Sequence, residues 1–526
     1  MSAPVTTEAR VAAARIAARR GDWSSVTRYG RGLLTDPGVA AEGHFLLGLA
    51  HAASGRDDAA ARSFSRSLDA DPGRYDAAVE RAALQQRKQR HGDAVAIITA
   101  HEALLSGSPY YLDKAGTILQ RAGLPARALP LFERARALQP GASTVAAHLA
   151  ECLTFNGRLD EARELYRELI ERHPQHARNH YELARLTTAT DFVHIDQMRG
   201  IISASDRTDQ HHIYLFYALG KELEDLGVWD DAFEYFEMGG EAAAQVGRYD
   251  VRADLALLEA AIDSVANGKT AATVAAPPAA GYERDSREIF LAGLPRSGST
   301  LVERMLASHS LVESAGESFF VPLTLRRLCN DAPTMSAQVL HQAASIDPGL
   351  IAAGYRESID YRLTGQPMYI EKLPENFIYF DLLARAFPDA ALVQVRRGAM
   401  DTALALFKQS YFRYAYRLSD LAQYLVLHDA LARQLATALG DRLLVVDYES
   451  IVHSQEAETR RLLDAVGVDF EPQCLAFETL PTATNTASAI QVREPLHARG
   501  VGRWKHFEKQ LAPVAAALTD AGVPLD

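Results

Sequence analysis

The chain has few cysteines, no long apolar run and no excess of positive charge. Its three cysteines are odd in number and far apart, which is typical of buried thiols in a reducing compartment and of neither a disulfide framework nor a zinc site. No uninterrupted apolar stretch reaches about 18 residues and no signal-peptide core stands at the start, so we expect a cytoplasmic protein without a membrane span. The net charge of -12 argues against nucleic acid as the main partner, because phosphate backbones are bound by clustered Lys and Arg.

A repeat occupies the first half of the chain. Gly55, Gly123 and Gly157 stand 68 and 34 residues apart, and the same intervals separate a set of aromatic residues and a set of prolines. These sets are Phe64, Phe132 and Tyr166, and Pro72, Pro140 and Pro174. The period of 34 residues is that of tetratricopeptide repeats, with glycine at the turn between two helices; Gly92 fits only after a shift of three residues. Because such units bury their apolar faces by stacking, we predict an all-α tetratricopeptide solenoid over residues 8–262.

The second half alternates short apolar strands with helices. A stretch at 266–286, rich in Ala, Thr, Pro and Gly, predicts a linker. The strands are expected at 289–292, 368–371, 391–395 and 443–446, and two of the helices at 377–386 and 421–439. This alternation predicts a second, α/β domain at 287–526 with a mainly parallel sheet, and a ligand site at the carboxyl ends of its strands.

A loop of small residues joins the first predicted strand to a helix between Ile289 and Leu301. Such a loop exposes backbone N–H groups, and the helix N-terminus offers further donors and the positive end of its dipole to an anion. In the spacing GxxxxGK[ST], counted from Gly293, Ser299 stands in the lysine position. The only cation of the loop is Arg296. The segment therefore predicts a P-loop-like site for a phosphate-like anion.

The loop and two segments behind it resemble the sulfotransferases that use 3′-phosphoadenosine 5′-phosphosulfate (PAPS). The matching segments are PRSGSTL from Pro295, ASH from Ala307 and GES from Gly316. They look most like the branch shared by tyrosylprotein sulfotransferases and bacterial sulfotransferases with tetratricopeptide repeats, in which an arginine replaces the loop lysine. The resemblance runs from near Arg287 to the C-terminus. It implies transfer of a sulfuryl group from PAPS to an acceptor hydroxyl, with no obligatory metal.

The resemblance assigns the 5′-phosphate and the sulfuryl oxygens to the loop. The implied ligands are Arg296, Ser297, Gly298, Ser299 and Thr300.

The resemblance also implies catalytic roles. Glu317 matches the catalytic carboxylate of the tyrosylprotein branch, and a positioned carboxylate can accept the proton of the acceptor hydroxyl. His309 is the nearest histidine and remains an alternative base. Lys372 matches a lysine that stabilises charge on the leaving oxygen, and Ser488 is implied near the sulfuryl end. Phe319 stands where the tyrosylprotein enzymes have a basic residue, which argues against their recognition of acidic peptides.

A 3′-phosphate site would separate PAPS from ATP. The resemblance implies Arg397 as its ligand, with Arg396 as the fallback, and Arg503 on the same side. Arginine suits phosphate oxygens because its guanidinium binds them in a bidentate manner. Eight residues after Arg397 the family usually has serine, whereas this chain has Ala405; either a hydroxyl contact is lost or another group, such as Lys408, compensates.

Two other functions stay open at the level of sequence. A P-loop kinase explains the loop and would use Asp447 as a magnesium ligand, but it explains neither Ser299 nor the second arginine cluster. A non-catalytic repeat scaffold is favoured only by Ala405. Because tetratricopeptide arrays bind peptides or self-associate, a protein, peptide or glycan acceptor is favoured, a small alcohol stays open, and a homo-oligomer is a further expectation.

Overall fold

The computed structural model describes residues 6–105, 107–205, 211–267, 286–484, 486 and 488–526. The chain divides into two compact units, Met1–Cys152 and Leu153–Asp526. Nearly all of the expected linker at 266–286 lies outside the described residues, and the domain boundaries drawn from the sequence stay a prediction. In the described part of the chain, no helix combines the length and the apolar character needed to cross a bilayer.

The first unit is built from helices. They are α1 (Thr7–Arg19), α2 (Trp23–Leu33), α3 (Ala40–Ala53), α4 (Asp57–Ala70), α5 (Tyr75–Arg87), α6 (His91–His101), α7 (Pro109–Arg121), α8 (Pro125–Leu138) and most of α9 (Ser143–Phe155). Within each helix pair of α3 with α4 and α7 with α8, a glycine of the first helix lets an aromatic ring of the second approach. Phe64 packs on Gly48 and Phe132 on Gly116, where a Cβ would collide with the ring. The predicted helical repeats are confirmed.

The turn inside each helix pair uses a residue in the left-handed conformation. Gly55 has φ +69° and Gly123 has φ +83°. Midway between them in the register, 34 residues from each, Gln89 adopts φ +58°. The repeat is therefore unbroken, and Gly92, which fitted only after a shift, lies inside α6. The left-handed conformation costs a residue with a Cβ about 1 to 2 kcal/mol, and the repeat tolerates this cost at Gln89.

The second unit opens with further helices of the same kind. They are α10 (Leu159–Arg172), α11 (Ala177–Leu186), α12 (Val193–Ser203), α13 (Ile213–Asp225), α14 (Trp229–Gly247) and α15 (Arg252–Asn267). Gly157 and Gly227 form the left-handed turns, with φ +79° and +74°. Phe236 of α14 packs on Gly220 of α13, and a Cβ on this glycine would lie 2.6 Å from the ring.

A five-stranded sheet follows. Its strands are β1 (Arg287–Gly293), β2 (Val312–Ser314), β3 (Met368–Lys372), β4 (Ala391–Arg396) and β5 (Leu443–Asp447). The helices of this region are α16 (Ser299–Ala307), α17 (Phe320–Leu328), α18 (Ala337–Ala343), α19 (Pro348–Ile359), α20 (Phe380–Ala386), α21 (Ala399–Phe407), α22 (Leu418–Leu439), α23 (Tyr448–His453), α24 (Gln455–Val466) and α25 (Glu508–Asp520). The predicted α/β fold with a parallel sheet is confirmed.

The strand order is β2-β3-β1-β4-β5, and every neighbouring pair is parallel. Leu291 of β1 is paired with Lys372 of β3, and Gly293 of β1 with Val395 of β4. After β1 the chain forms β2 and β3 on one side of β1, and then β4 and β5 on the other side. The carboxyl end of β1 is therefore the switch point of the sheet. Ligands of open α/β sheets bind at this position.

Both faces of the sheet are covered by apolar cores. Because side chains alternate along a strand, Ile289 of β1 belongs to a core with α16 and α24, whereas Phe290 belongs to the opposite core. This opposite core also contains buried residues of α11 to α15. Phe233 of α14, for example, stacks on Phe407 with ring centroids 5.1 Å apart. The last helices of the repeat series thus share a core with the sheet.

Candidate functional site

The loop between β1 and α16 depends on two glycines. Gly293 has φ +152° and Gly298 has φ +101°, a range that favours glycine. A Cβ on Gly293 would collide with the carbonyl oxygen of Val395, and one on Gly298 would lie 2.6 Å from the ring of Tyr448. Helix α16 begins at Ser299, so its first N–H groups have no acceptor inside the helix. The result is an anion cradle at the switch point of the sheet.

Lys372, at the end of β3, is the centre of a charged cluster beside this loop. The side chain is fully buried, and its Nζ contacts the carboxylate of Glu317. The same Nζ lies 3.3 Å from Thr300 Oγ1 and 3.6 Å from Glu303 Oε2. Burial disfavours the charged ammonium, but the Glu317 and Glu303 carboxylates outweigh this effect and raise the pKa of Lys372. A permanent cation therefore lies between the loop helix and Glu317.

Glu317 and Glu303 differ in their access to solvent. The Glu317 side chain is 30% exposed and follows a turn in which Gly316 has φ +69°. Glu303 is buried, accepts a hydrogen bond of 2.5 Å from Ser314 Oγ, and has its pKa raised by that burial. Glu317 is consequently the carboxylate of the cluster that an acceptor molecule can reach.

Arg296 reaches from the loop to the segment that closes the site. Its Nη1 donates to Ser488 Oγ over 2.6 Å, and its Nη2 donates to Gln491 Oε1 over 2.8 Å. Thr300 Oγ1 donates to Thr486 Oγ1 over 3.4 Å. Burial lowers the pKa of Arg296, yet an arginine starts so high that it stays charged. The loop and the closing segment are thus joined by polar contacts.

Arg397 adjoins the loop from the end of β4. Its Nη1 donates to the Arg296 carbonyl over 2.9 Å, and its Nη2 donates to the Gly500 carbonyl. The guanidinium lies over the ring of Tyr448, 5.1 Å from the centroid. Arg396 is exposed and lines a second cavity, which Arg397 also lines. Of the two arginines, Arg397 is therefore the one in direct contact with the loop.

A cavity of about 100 Å³ opens beside the loop. Its lining includes Arg296, Gly298, Thr300, Arg397, Tyr448 and Ser488. Among the described residues, no group of three or more His, Cys, Asp or Glu is arranged to hold a metal ion.

Arg503, the third predicted arginine, pairs with a carboxylate from the repeat helices. Its Nε donates to Glu224 Oε1 of α13 over 2.6 Å. Lys408 Nζ donates to the two oxygens of the same carboxylate over 2.7 Å and 2.6 Å. Lys408, considered above as a substitute for the serine missing at Ala405, is therefore bound to Glu224.

His309, the alternative base, is buried in the structure. Its Nδ1 accepts from the Leu311 N–H over 3.1 Å, and its Nε2 lies 2.9 Å from the Asp469 carbonyl. Because the carbonyl can only accept, Nε2 carries the proton. Both ring nitrogens are thus used in packing the turn after α16.

The structure brings six of the ten predicted site residues into direct contact with one another, and Arg503 is not among them because it is bound to Glu224. The residues in direct mutual contact are Arg296 with Ser488 and Arg397, and Lys372 with Glu317 and Thr300. Sequence reasoning missed Tyr448, Gln491, Glu303 and Glu224. Tyr448 carried a usable signal, because it follows β5 directly at the edge where the loop lies. Glu224 carried none, because it belongs to a repeat helix.

The fold is that of helical repeats followed by a parallel α/β domain. Residues 288–472 match the model of the sulfotransferase family, and residues 11–75 and 119–186 match tetratricopeptide-repeat models. The sulfotransferase-family match thus covers about a third of the chain, and the two repeat matches lie before it.

Relatives exist in bacteria and animals. An uncharacterized protein of Aquifex aeolicus (strain VF5) is 25% identical over 424 residues, which cover 78% of this chain and 54% of that protein. Protein-tyrosine sulfotransferase A of Caenorhabditis elegans is 24% identical over 237 residues, or 43% of this chain and 62% of the relative. Protein-tyrosine sulfotransferase 1 of Danio rerio is 22% identical over 267 residues, or 46% and 73%. The matches thus span between half and two thirds of the first two relatives.

Two solved structures resemble parts of the chain. The sulfotransferase domain from the Synechococcus PCC 7002 olefin synthase is 20% identical, with a TM-score of 0.33, and the match covers 44% of this chain and 96% of that one. YrrB, a tetratricopeptide-repeat protein with an unusual peptide-binding site, is 16% identical, with a TM-score of 0.29, and the match covers 39% of this chain and 96% of YrrB.

Proposed function

We propose that the protein is a sulfotransferase that moves a sulfuryl group from PAPS to an acceptor hydroxyl. The observation that carries this proposal is the position of Lys372, which contacts both the accessible carboxylate of Glu317 and Thr300 of the loop helix. A base, a cation and an anion cradle thereby meet in one cluster. The sulfotransferase-family match and the protein-tyrosine sulfotransferase relatives support the same activity.

The loop residues fit the donor. The ring of Tyr448 packs directly on Gly298, where a Cβ would collide with it, and the Ser297 hydroxyl is buried without a hydrogen-bond partner among the described residues. The Ser297 hydroxyl and the backbone N–H groups of Ser299 and Thr300 provide hydrogen-bond donors for phosphate oxygens. PAPS supplies the sulfuryl group when bound, and we assign its 3′-phosphate to Arg397 and Arg503.

The chemistry we propose is an in-line displacement at sulfur. The acceptor oxygen bonds to sulfur while the bond from sulfur to the bridging oxygen of the 5′-phosphate breaks, which leaves adenosine 3′,5′-bisphosphate. The proton of the acceptor hydroxyl passes to Glu317. Lys372, Arg296 and Ser488 stabilise the negative charge on the transferring group and the leaving oxygen, because fixed cations and dipoles in a site of low dielectric constant act most strongly where charge develops.

The acceptor in this proposal is a hydroxyl group on a protein, peptide, glycan or small molecule. Phe319, two residues beyond Glu317, is 71% exposed and provides an apolar contact rather than a cation for acidic peptides. We assign the repeats to binding a partner or to self-association, and we place the reaction in the cytoplasm, where the three free, buried cysteines would stay reduced.

Calorimetry with two nucleotides tests the donor. We expect adenosine 3′,5′-bisphosphate to bind more tightly than ATP by about 2 to 4 kcal/mol, because ATP leaves the 3′-phosphate ligands unpaired. Incubation with PAPS and pools of acceptors, followed by mass spectrometry, should then show the gain of one sulfuryl group. Equal affinity for ATP, or binding that needs magnesium, would favour a kinase. Nucleotide binding without transfer to any acceptor would favour a scaffold.

A further inference from the structure

Glu224 is a buried carboxylate of the repeat helices that pairs with cations of the α/β region. Its side chain is 3% exposed and lies near the end of α13. It contacts two cations from the α/β region, the ammonium of Lys408 and the guanidinium of Arg503. A buried carboxylate is costly unless it is paired and hydrogen-bonded, so these contacts account for its presence in the interior.

The two cations use their donors differently. Lys408 donates to both oxygens of Glu224, so it neutralises the carboxylate and is held in that position. Arg503 donates to Glu224 only through Nε. Among the described residues no acceptor is found for its Nη1 and Nη2, and the side chain is 34% exposed. The outer edge of the guanidinium is therefore open to a ligand.

Aromatic contacts of α14 also hold the segment that carries Arg503. The ring of Trp229, in α14, stacks on His506 at 4.2 Å, and the Arg503 guanidinium lies 5.9 Å from the Trp229 centroid. Arg503 is thus held on its inner edge by α13 and lies beside α14. A guanidinium fixed in this way loses less conformational freedom when a phosphate binds its outer edge.

We propose that Glu224 is a positioning residue of the nucleotide site, which fixes Arg503 through Nε so that Nη1 and Nη2 donate hydrogen bonds to the 3′-phosphate. The inference rests on the proposed function, because it takes PAPS as the donor. It makes one helix of the repeat series a part of the 3′-phosphate site. Lys408, in this arrangement, balances the charge of Glu224 and does not replace the missing serine.

The test compares two ligands in the full-length protein. Adenosine 3′,5′-bisphosphate and adenosine 5′-monophosphate differ only in the 3′-phosphate. The ratio of the dissociation constant of the monophosphate to that of the bisphosphate therefore measures the contribution of the 3′-phosphate contacts. Glu224→Asp keeps the negative charge but withdraws the carboxylate by one methylene. We expect it to reduce the ratio about tenfold, the worth of one hydrogen bond to a charged group, and to leave the monophosphate affinity unchanged.

Glu222→Asp is the matched control. Glu222 is a buried carboxylate of the same helix that pairs with His194 over 2.7 Å, so shortening it disturbs α13 to a similar degree without touching either cation. We expect the control to leave the ratio unchanged. A second variant, Arg503→Lys, keeps a cation on an accessible side chain but removes Nε, and we expect it to lower the ratio as much as Arg503→Ala does.

Each outcome separates the two proposals. Absence of any preference for the bisphosphate in the unmodified protein would remove PAPS as the donor and with it the inference. A preference that Arg503→Ala abolishes but Glu224→Asp and Arg503→Lys leave intact would overturn the inference alone. If Glu224 acts through Arg503, Glu224→Asp adds no further loss in the Arg503→Ala background. A tighter bisphosphate complex in Glu224→Asp would show that the carboxylate competes with the phosphate, and the positioning role would then be wrong.

Discussion

The helices of the first unit and the helices that open the second unit share one local design but have different cores. Phe64 on Gly48 in the first unit and Phe236 on Gly220 in the second make the same contact. Phe64 belongs to a cluster of repeat residues, whereas Phe236 belongs to the core that covers one face of the sheet. A tetratricopeptide pattern therefore specifies the helix pair but leaves open what the pair packs against.

The later repeat helices pack on the α/β region instead of only on one another. Phe233 of α14 packs on Phe407 and Phe507, with ring centroids 5.1 Å and 5.9 Å away, and Glu224 of α13 is bound to cations of the α/β region. In the second unit the repeat helices thus act as a layer of the α/β core.

Deleting the shared layer should have the largest effect. A chain that begins at Ser286 lacks α10 to α15, exposes the apolar face around Phe407 and leaves Lys408 without Glu224. We expect it to aggregate or to lack a cooperative thermal transition, because the uncovered face is part of the main core. A chain that begins at Ser143 should fold and bind adenosine 3′,5′-bisphosphate like the full protein. A soluble, nucleotide-binding 286–526 fragment would contradict the shared core.

A change at the sulfuryl end tests whether chemistry and nucleotide binding are carried by different parts of the second unit. Glu317→Gln should lower turnover by about 10² to 10⁴, the usual contribution of a general base, while leaving the affinity for adenosine 3′,5′-bisphosphate unchanged. Glu313→Gln is the control, because Glu313 accepts hydrogen bonds from the turn at Thr364 and lies outside the cluster. Transfer at the original rate in Glu317→Gln would show that Glu317 is not the base.

Two matched substitutions test the comparison of the cores directly. Phe64→Ala and Phe236→Ala each remove a buried ring at the same repeat position, and each should cost about 3 to 5 kcal/mol of unfolding free energy in its own unit. Only Phe236→Ala should also weaken nucleotide binding, since its ring shares a core with the sheet. Denaturant unfolding and calorimetry on both variants provide the measurement. Equal loss of nucleotide binding in both would show that the two units depend on each other.

The sequence indicated those parts of the fold that depend on local pattern. Four strands were predicted because each is a mostly apolar segment of four residues or more, whereas β2 was missed because only Val312 of its three residues is apolar. The turn at Gln89 was missed because only glycine was taken as its marker, although its place in the 34-residue register was fixed.

The same limit applies to the candidate site. Residues within contiguous motifs, such as Arg296, Glu317 and Lys372, could be proposed from their neighbours in the chain. Glu224 could not, because it is 279 residues away from Arg503 in sequence and no local pattern links them. Which cations it faces is decided by the packing of α13 on the α/β region.

The smallest expected effect is a dependence of stability on pH that is confined to the second unit. Glu371 of β3 is fully buried and accepts hydrogen bonds from Ser318 Oγ over 2.6 Å and from Asn376 Nδ2 over 3.3 Å. Burial raises the pKa of Glu371 from an ordinary 4.5 to about 7. Between these two values the folded chain keeps a proton that the unfolded chain has released. The contribution of this group is therefore complete below its unfolded pKa and is lost as the pH rises through about 7.

Glu371→Gln resembles the protonated form at every pH and tests this account. The unfolding free energy of the second unit should fall, relative to that of the variant, by roughly 1 to 3 kcal/mol between about pH 5 and about pH 8. Urea unfolding at intervals across this range measures the difference, and the transition of the first unit serves as the internal control because it does not contain Glu371. If the difference between the original chain and the variant stayed constant with pH, Glu371 would be ionised in the folded state, and the turn that carries Glu317 would be held through Ser318 by a buried carboxylate rather than by a neutral acid.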